Sequence, residues 1–342
     1  MKNSDGTEAS LFNHATELFK GHEKLLGDEV RNLAFYEALK SRVTPGASVL
    51  DIGSGTGIWA IVAARLGAKR VVAVEQDPLL IGLIRSLANA NGVSDRVEAV
   101  AGDSRQMGFG QKFDIVISET IGNLAFEEQI IPIMIDARRR LLNPGGILIP
   151  QSVSLVASAA HLKPREAQIP AGISLEYEGF EWLARNIPVG LDDNSRLKLL
   201  SDPQELEGVD LTTIEELPEF AEMTARWEIE TASEVNGFAV WAEAGLTDEV
   251  KLNTLKTTSW TPLIYRVSPF TRKRGLLELK LTLTSTSNYW TATLSTEGDI
   301  ETQAYSPAYA ASLLVAQGRT GVDLIGSPQR ISFTGPGKCS GS

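Results

Sequence analysis

The chain has 342 residues, 43% hydrophobic and 22% charged, with a formal net charge of −11. That length suits two domains of roughly 100–200 residues each, with an ordinary globular core. The acidic balance excludes the clustered Lys/Arg of a nucleic-acid binder, and one cysteine (Cys339) with three scattered histidines (His14, His22, His161) excludes a disulfide framework and a metal centre.

Residues 1–10 are polar and expected to be disordered, and the N-terminal stretch lacks the apolar segment of a signal peptide. No run of 18 apolar residues exists to span a membrane, so a cytoplasmic protein is expected. Residues 22–42 carry Leu25, Leu26, Val30, Leu33, Ala34 and Leu39 at helical spacing and predict one helix. Strands and helices then alternate. SVLDIG is a strand, TGIWAIVAARLG a helix closed by Gly67, RVVAVE a strand, and PLLIGLIRSLANANG a helix opened by Pro78 and closed by Gly92. RVEAVAGD and KFDIVISE are strands, QIIPIMIDARRRLL a helix and GGILIP a strand. That alternation predicts a parallel α/β sheet.

Near residue 150 the rhythm changes. SVSLVASAAHL, ARWEIETA, GFAVWAEAGL, LIYRVS, LLELKLTLTST and YWTATLST alternate with a period of two and predict a mainly antiparallel second domain. Residues 182–203 interrupt it as a projecting helical segment, and the Gly-, Ser- and Pro-rich stretch 318–342 is expected to be loosely ordered. The expected division is therefore a helical segment at 1–43, an α/β domain at 44–150, a β domain at 151–317 and a tail at 318–342.

The chemistry begins at VLDIGSGTG. Gly53, Gly55 and Gly57 follow a strand directly, where glycine lets the backbone turn and approach a ligand. A dinucleotide fingerprint needs G-x-G-x-x-G, but its third glycine position here is Ile58, and Asp51 would repel a pyrophosphate. A cofactor carrying an ammonium and a sulfonium tolerates Asp51, which favours S-adenosyl-L-methionine, with S-adenosyl-L-homocysteine as product. Glu75 ends the next strand, where a carboxylate can accept bonds from both ribose hydroxyls. Gly102, Asp103 and Ser104 follow the third strand, where an adenine amino group would lie.

Glu119 ends the fourth strand, and Glu128 follows nine residues later at the opening of the next helix. Two carboxylates returning to one rim suit a planar guanidinium. Glu127 and Glu128 could equally serve as acidic charge at a helix N-terminus.

SETIGNLAFEEQII resembles the double-glutamate loop of protein arginine N-methyltransferases, in which S-E-W-M-G is followed by a second glutamate nine positions after the first. Glu128, not Glu127, matches that position. HEKLLGDEVRNLAFYEAL is similar to the family's helix before the cofactor loop, and GILIPQSV, GVDLTTI and KTTSWTPLIY have counterparts, so the resemblance covers roughly residues 11–300. It implies a class I methyltransferase-type parallel sheet followed by a β-barrel-like domain. It also implies a ring-like homodimer, with residues 182–203 as the dimerisation arm.

The activity so implied is methyl transfer to a guanidino nitrogen of arginine. Glu119 and Glu128 would be catalytic, and Ser259 and Trp260 would bind substrate. His22, Arg31, Asp51, Gly53, Gly55, Glu75, Gln76, Asp103, Ser104 and Glu119 would bind the cofactor, with Arg31 paired to the methionine carboxylate. No metal, nucleic-acid or membrane partner is expected.

The sequence departs from the family at three places. The Tyr-rich Y-F-x-x-Y motif is Phe12-Asn13-His14-Ala15-Thr16, without either tyrosine. The T-H-W loop is Thr258-Ser259-Trp260, and a Ser-Trp pair there resembles the branch that makes symmetric dimethylarginine. Thr120 and Ile121 replace the aromatic and thioether of S-E-W-M-G. Free arginine or another small guanidino metabolite is thus an alternative acceptor to a protein, and a cofactor-binding scaffold without activity is a third reading.

Overall fold

The computed structural model describes residues 4–164, 183–218, 222–283 and 288–307. The expected tail at 318–342 and the first residue of the expected arm lie outside them. The chain forms two compact units. The first comprises the chain up to Ser154 with Gly208–Leu217 and Ala242–Thr261; the second comprises Leu155–Glu207, Pro218–Trp241 and the chain from Pro262. Two short segments beyond residue 150 therefore group with the α/β part, which a single boundary there does not anticipate.

The first unit opens with helices α1 (Ser4–Leu26) and α2 (Glu29–Arg42). Two expectations are corrected here. Ser4–Ser10 are helical, not disordered, and the single helix over 22–42 is two helices. Gly27 is a poor helix former, and Asp28 restarts the chain as an N-cap by accepting the Arg31 amide at 3.1 Å.

There follow β1 (Ser48–Ile52), α3 (Ile58–Arg65), β2 (Arg70–Glu75), α4 (Pro78–Ala90), β3 (Val97–Ala101), β4 (Phe113–Ser118), α5 (Ile130–Asp136) and β5 (Leu142–Ile149). The expected helix over QIIPIMIDARRRLL is α5 with a π-helical turn at Ala137–Leu141. The strands lie in the order β3-β2-β1-β4-β5 with every neighbour parallel. Parallel strands covered on both faces read as continuous apolar runs, and Val49, Leu50, Val71, Val72, Val116 and Ile117 are fully buried. Between β1 and β4 the strand order reverses, which opens a crevice at the carboxyl ends of the strands.

Two later segments complete this unit. Arg138 donates to the Thr212 and Ile214 carbonyls, and Arg138 and Arg139 both engage Glu215, holding 208–217 in place. The end of β11 (Gly237–Gly245) pairs with β12 (Lys251–Asn253). The loop after β12 is fixed by Thr254, whose hydroxyl donates to the Ala242 carbonyl at 2.9 Å, and by Thr257, whose hydroxyl donates to the Thr254 carbonyl at 2.7 Å.

The second unit is antiparallel. β10 (Met223–Ile229), β14 (Gly275–Leu283), β15 (Asn288–Thr296) and β16 (Asp299–Tyr305) form one sheet in that order. The remaining strands are β6 (Ser152–Leu162), β7 (Val189–Gly190), β8 (Leu197–Leu199), β9 (Gln204–Asp210) and β13 (Leu263–Arg266). β13 pairs with β7 and with Gly237–Val240, β8 pairs with the end of β6, and β9 also pairs with β6. Trp290 meets Tyr265 edge-on at 5.1 Å and stacks on Tyr305 at 5.6 Å in the core of this unit. Within the interval expected to be a helical arm, residues 183–186 are helical, but Val189–Gly190 and Leu197–Leu199 are strands.

Candidate active site

A cavity of about 610 Å³ lies in the first unit at the carboxyl ends of the parallel strands. It gathers His22, Arg31, Gly53, Gly55, Glu75, Gln76, Asp103, Ser104, Glu119, Glu128, Ser259 and Trp260. Side chains up to 238 positions apart in sequence, from His22 to Trp260, thus meet at one crevice, with α1 and the loop after β12 closing over the strand ends.

The floor is the glycine loop. Gly55 has φ +56, and a Cβ on it would lie 2.7 Å from His22 Cε1. Gly53 has φ +69, and a Cβ there would lie 2.8 Å from Thr120 Cγ2. These are conformations and clearances that only glycine meets cheaply. At the end of β2, Glu75 accepts the amides of Gly55, Gln76 and Asp77 at 2.8, 2.7 and 3.0 Å. Asp103 caps the turn after β3 by accepting the Arg105 amide at 3.0 Å and is also held by the Arg105 guanidinium at 2.8 Å. Arg105 reaches onward to Gln129 at 2.7 Å.

Asp51 departs from its expected role, for its carboxylate does not line the cavity. It is 1% exposed and accepts the Ala60 amide at 3.1 Å. Ala60 lies in the first turn of α3, where amides have no partner within the helix, and the N-cap, Gly57, has no side chain to supply one. Asp51 fills that need. Burial raises its carboxyl to about 7 against hydrogen bonds from Ser54 and Ala60 that lower it.

The two-glutamate loop separates its acids by function. Glu127 accepts the Asn123 and Leu124 amides at 2.8 and 3.2 Å and so holds the loop's shape. Glu128 and Gln129 take positive φ angles of 51° and 63° just before α5, which leaves Glu128 among the cavity-lining residues. Burial, and then the neighbouring Glu127, raise the Glu128 carboxyl above its ordinary value. Glu119 is pushed up by burial and by Glu128, opposed by Arg31.

Arg31 forms an ion pair with Glu119, and both side chains are nearly buried. Its guanidinium lies 5.4 Å from the Trp59 ring, 5.9 Å from Phe35 and 6.0 Å from Trp260, distances at which a cation is attracted to an aromatic face. It also donates to the Leu25 carbonyl at 3.3 Å and to Asn32 at 2.8 Å. Its Nε has no acceptor among the described residues.

A family model described as ribosomal protein L11 methyltransferase (PrmA) matches residues 33–158. An arginine N(omega)-methyltransferase of Streptomyces achromogenes subsp. streptozoticus is 31% identical over 240 residues, which is 68% of this chain and 66% of that protein. A probable protein arginine N-methyltransferase 6 of Arabidopsis thaliana is 28% identical over 231 residues, 64% of this chain and 53% of that protein. The fold matches the Trypanosoma brucei PRMT1 enzyme-prozyme heterotetrameric complex with AdoHcy at a TM-score of 0.68 and 20% identity, over 83% of this chain and 97% of that one. The chain is similar in sequence to arginine N-methyltransferases and has their fold. It spans less than two thirds of the length of the two curated relatives.

The structure shows what the departures from that family's pattern do. Ser259, at the T-H-W histidine position, donates its hydroxyl to Asp28 at 2.5 Å, and the Thr258 and Ser259 amides donate to the same oxygen at 3.0 and 2.8 Å. Asp28 was not among the expected site residues. Burial alone would raise its carboxyl, but the bonds from Ser259, Arg31 and Thr258 outweigh that and lower it. Its sequence signal was the Gly-Asp break inside the helical pattern, which reads as an N-cap. Asn123 accepts the Thr261 amide at 3.0 Å, fixing the other side of the same loop. Neither Asn123 nor Trp59 carries a pattern that would have singled it out.

Proposed function

We propose that this chain is an S-adenosylmethionine-dependent N-methyltransferase acting on a guanidino nitrogen of arginine. The carrying observation is that Glu119, Glu128 and Trp260 line one cavity with the glycine loop and Glu75. The residues present fit the cofactor by chemistry. Glycine clearances leave room for close approach, Glu75 supplies acceptors for hydroxyls, and Arg31, with an unpartnered Nε, supplies charge for a carboxylate. When bound, the cofactor supplies an electrophilic methyl group on a sulfonium.

This chain's own residues hold the acceptor. Carboxylates at Glu119 and Glu128 would take two guanidinium nitrogens and draw positive charge toward them, leaving the third nitrogen richer in electrons. Trp260 offers a ring face to the cation. Positioning and fixed charge carry most of this chemistry, and no strong base is required.

The acceptor is arginine in a protein or peptide, or free arginine. The second is favoured by the absence of both tyrosines at Phe12–Thr16 and by a relative named as an arginine, not a protein arginine, methyltransferase. Incubation with labelled cofactor and either an Arg-rich peptide or free arginine separates them. Label in neither, with cofactor still bound, would overturn the catalytic reading in favour of a scaffold.

Among the described residues no helix is long and apolar enough to cross a membrane, and we place the protein in the cytoplasm. We also propose a homodimer. Support comes from the solved relative, which is described as a heterotetrameric complex, and from the exposed Val30 and Leu33 on α2. A monomer by light scattering would overturn it.

A further inference from the structure

We propose that His14 is a positioning residue for the cofactor, latching α1 across the Glu75 end of the cavity through Asp77 and so slowing cofactor release. This rests on the cofactor reading above. His14 Nε2 donates to Asp77 Oδ2 at 2.6 Å. Leu18, Gly21, His22 and Leu25 of α1 form one wall of the cavity, so the position of the helix sets the shape of the site.

At its C-terminal end the helix is held by Arg31 and Asn32, which donate to the Leu25 and Leu26 carbonyls at 3.3 and 2.8 Å; toward its N-terminal half the side-chain ties are fewer. Among the described side chains of α1, from Ser10 onward, His14 alone has a hydrogen bond outside the helix; Thr16 bonds the Phe12 carbonyl and Lys20 bonds Glu17. The outward side of α1 is loosely packed, with Phe12 70% and Phe19 66% exposed. An element with few buried contacts is drawn from the low-stability end of a structure, and one added tie shifts its opening.

The other half of the latch is rigid. Asp77 Oδ1 accepts the Leu79 amide at 2.8 Å as the N-cap of α4, with Pro78 at its first position. The Asp77 amide donates to Glu75 at 3.0 Å. The latch therefore ties α1 to the strand end that carries Glu75. The acceptor is a carboxylate, so the contact is a hydrogen bond to a charged partner. The charged groups around it are Asp77 itself, Glu17 one turn along α1 and engaged by Lys20, and His22, which feels Glu75, Arg31 and Asp77.

The test is S-adenosylhomocysteine binding by calorimetry and its release by stopped flow, with hydrogen exchange of α1 in the ligand-free protein. His14→Ala is expected to raise Kd and the release rate about two- to fivefold, the range of an exposed polar pair, and to speed exchange in α1. His14→Arg, which can still donate to Asp77, is expected to keep the wild-type affinity and release rate. Asp77→Asn keeps the α4 cap and is expected to behave like His14→Ala. If His14→Ala matched the wild type in Kd, release and exchange, the latch would be overturned. If the wild type bound no S-adenosylhomocysteine, the cofactor reading would fail instead, and exchange of α1 alone would decide the latch.

Discussion

Asp28 and Ser259 lie 231 positions apart in sequence and are joined by two hydrogen bonds to one carboxylate oxygen, from the Ser259 amide at 2.8 Å and its hydroxyl at 2.5 Å. The other oxygen of Asp28 starts the helix that carries Arg31. One carboxylate therefore sets both the cation beside Glu119 and the loop that presents Trp260.

Ser259→Ala removes one bond to a charged acceptor and is expected to cost about 1.5 kcal/mol. Asp28→Ala loses the cap and strands the two loop amides, and is expected to cost about 3 kcal/mol. Urea unfolding measures both. Equal, near-zero losses would mean that the contact holds nothing together.

Glu119→Gln and Glu128→Gln are each expected to lower turnover about 10²–10³-fold, the usual loss when one fixed charge is removed from a site. Their stabilities should differ. Glu119 is the partner of the buried Arg31, so its replacement is expected to cost about 2 kcal/mol. Among the described residues Glu128 has no such partner, and its replacement should cost under about 0.5 kcal/mol. Near-normal methylation by either variant would end the guanidinium model.

The pH dependence of stability carries the mark of Asp51. Its carboxyl is raised from 3.8 to about 7 by burial in the folded state. Between those values the folded protein holds a proton that the unfolded chain has released, so stability falls as pH rises from about 4 to about 7 and is level above that. A shift of roughly three units corresponds to about 4 kcal/mol. Asp51→Asn keeps an acceptor for the Ala60 amide and is expected to flatten this slope. An unchanged slope in unfolding free energies from pH 4.5 to 8 would refute the assignment.

Gly55→Ala must place a Cβ 2.7 Å from His22 Cε1 at a φ of +56. It is expected to destabilise the protein by about 1–2 kcal/mol and to weaken S-adenosylhomocysteine binding about tenfold, because the added methyl narrows the cavity. Calorimetric titration reads the second effect, and unaltered binding would place the ligand elsewhere.

The α/β half was legible because its central strands β1, β2 and β4 are buried on both faces and leave apolar runs, as in VVAV of β2 and IVI of β4. β16, in the second unit, was not. It is a sheet-edge strand with the sequence DIETQAY, recruited by backbone bonds to β15, and polar alternation alone does not separate such a strand from a loop. The break at Gly27-Asp28 was hidden for a related reason, since the apolar spacing continues through it.

Local sequence determined the parts whose causes are local. Glycines at positive φ follow β1, a carboxylate stands at the end of β2, and Glu128 comes nine positions after Glu119. Tertiary structure alone decided how the acids divide. Glu127 holds loop amides while Glu128 joins the cavity, Asp51 turns inward to an orphan amide of α3, and Asp28 reaches Ser259. Those outcomes depend on which unpaired donors lie within about 3 Å after folding, and no spacing along the chain encodes that.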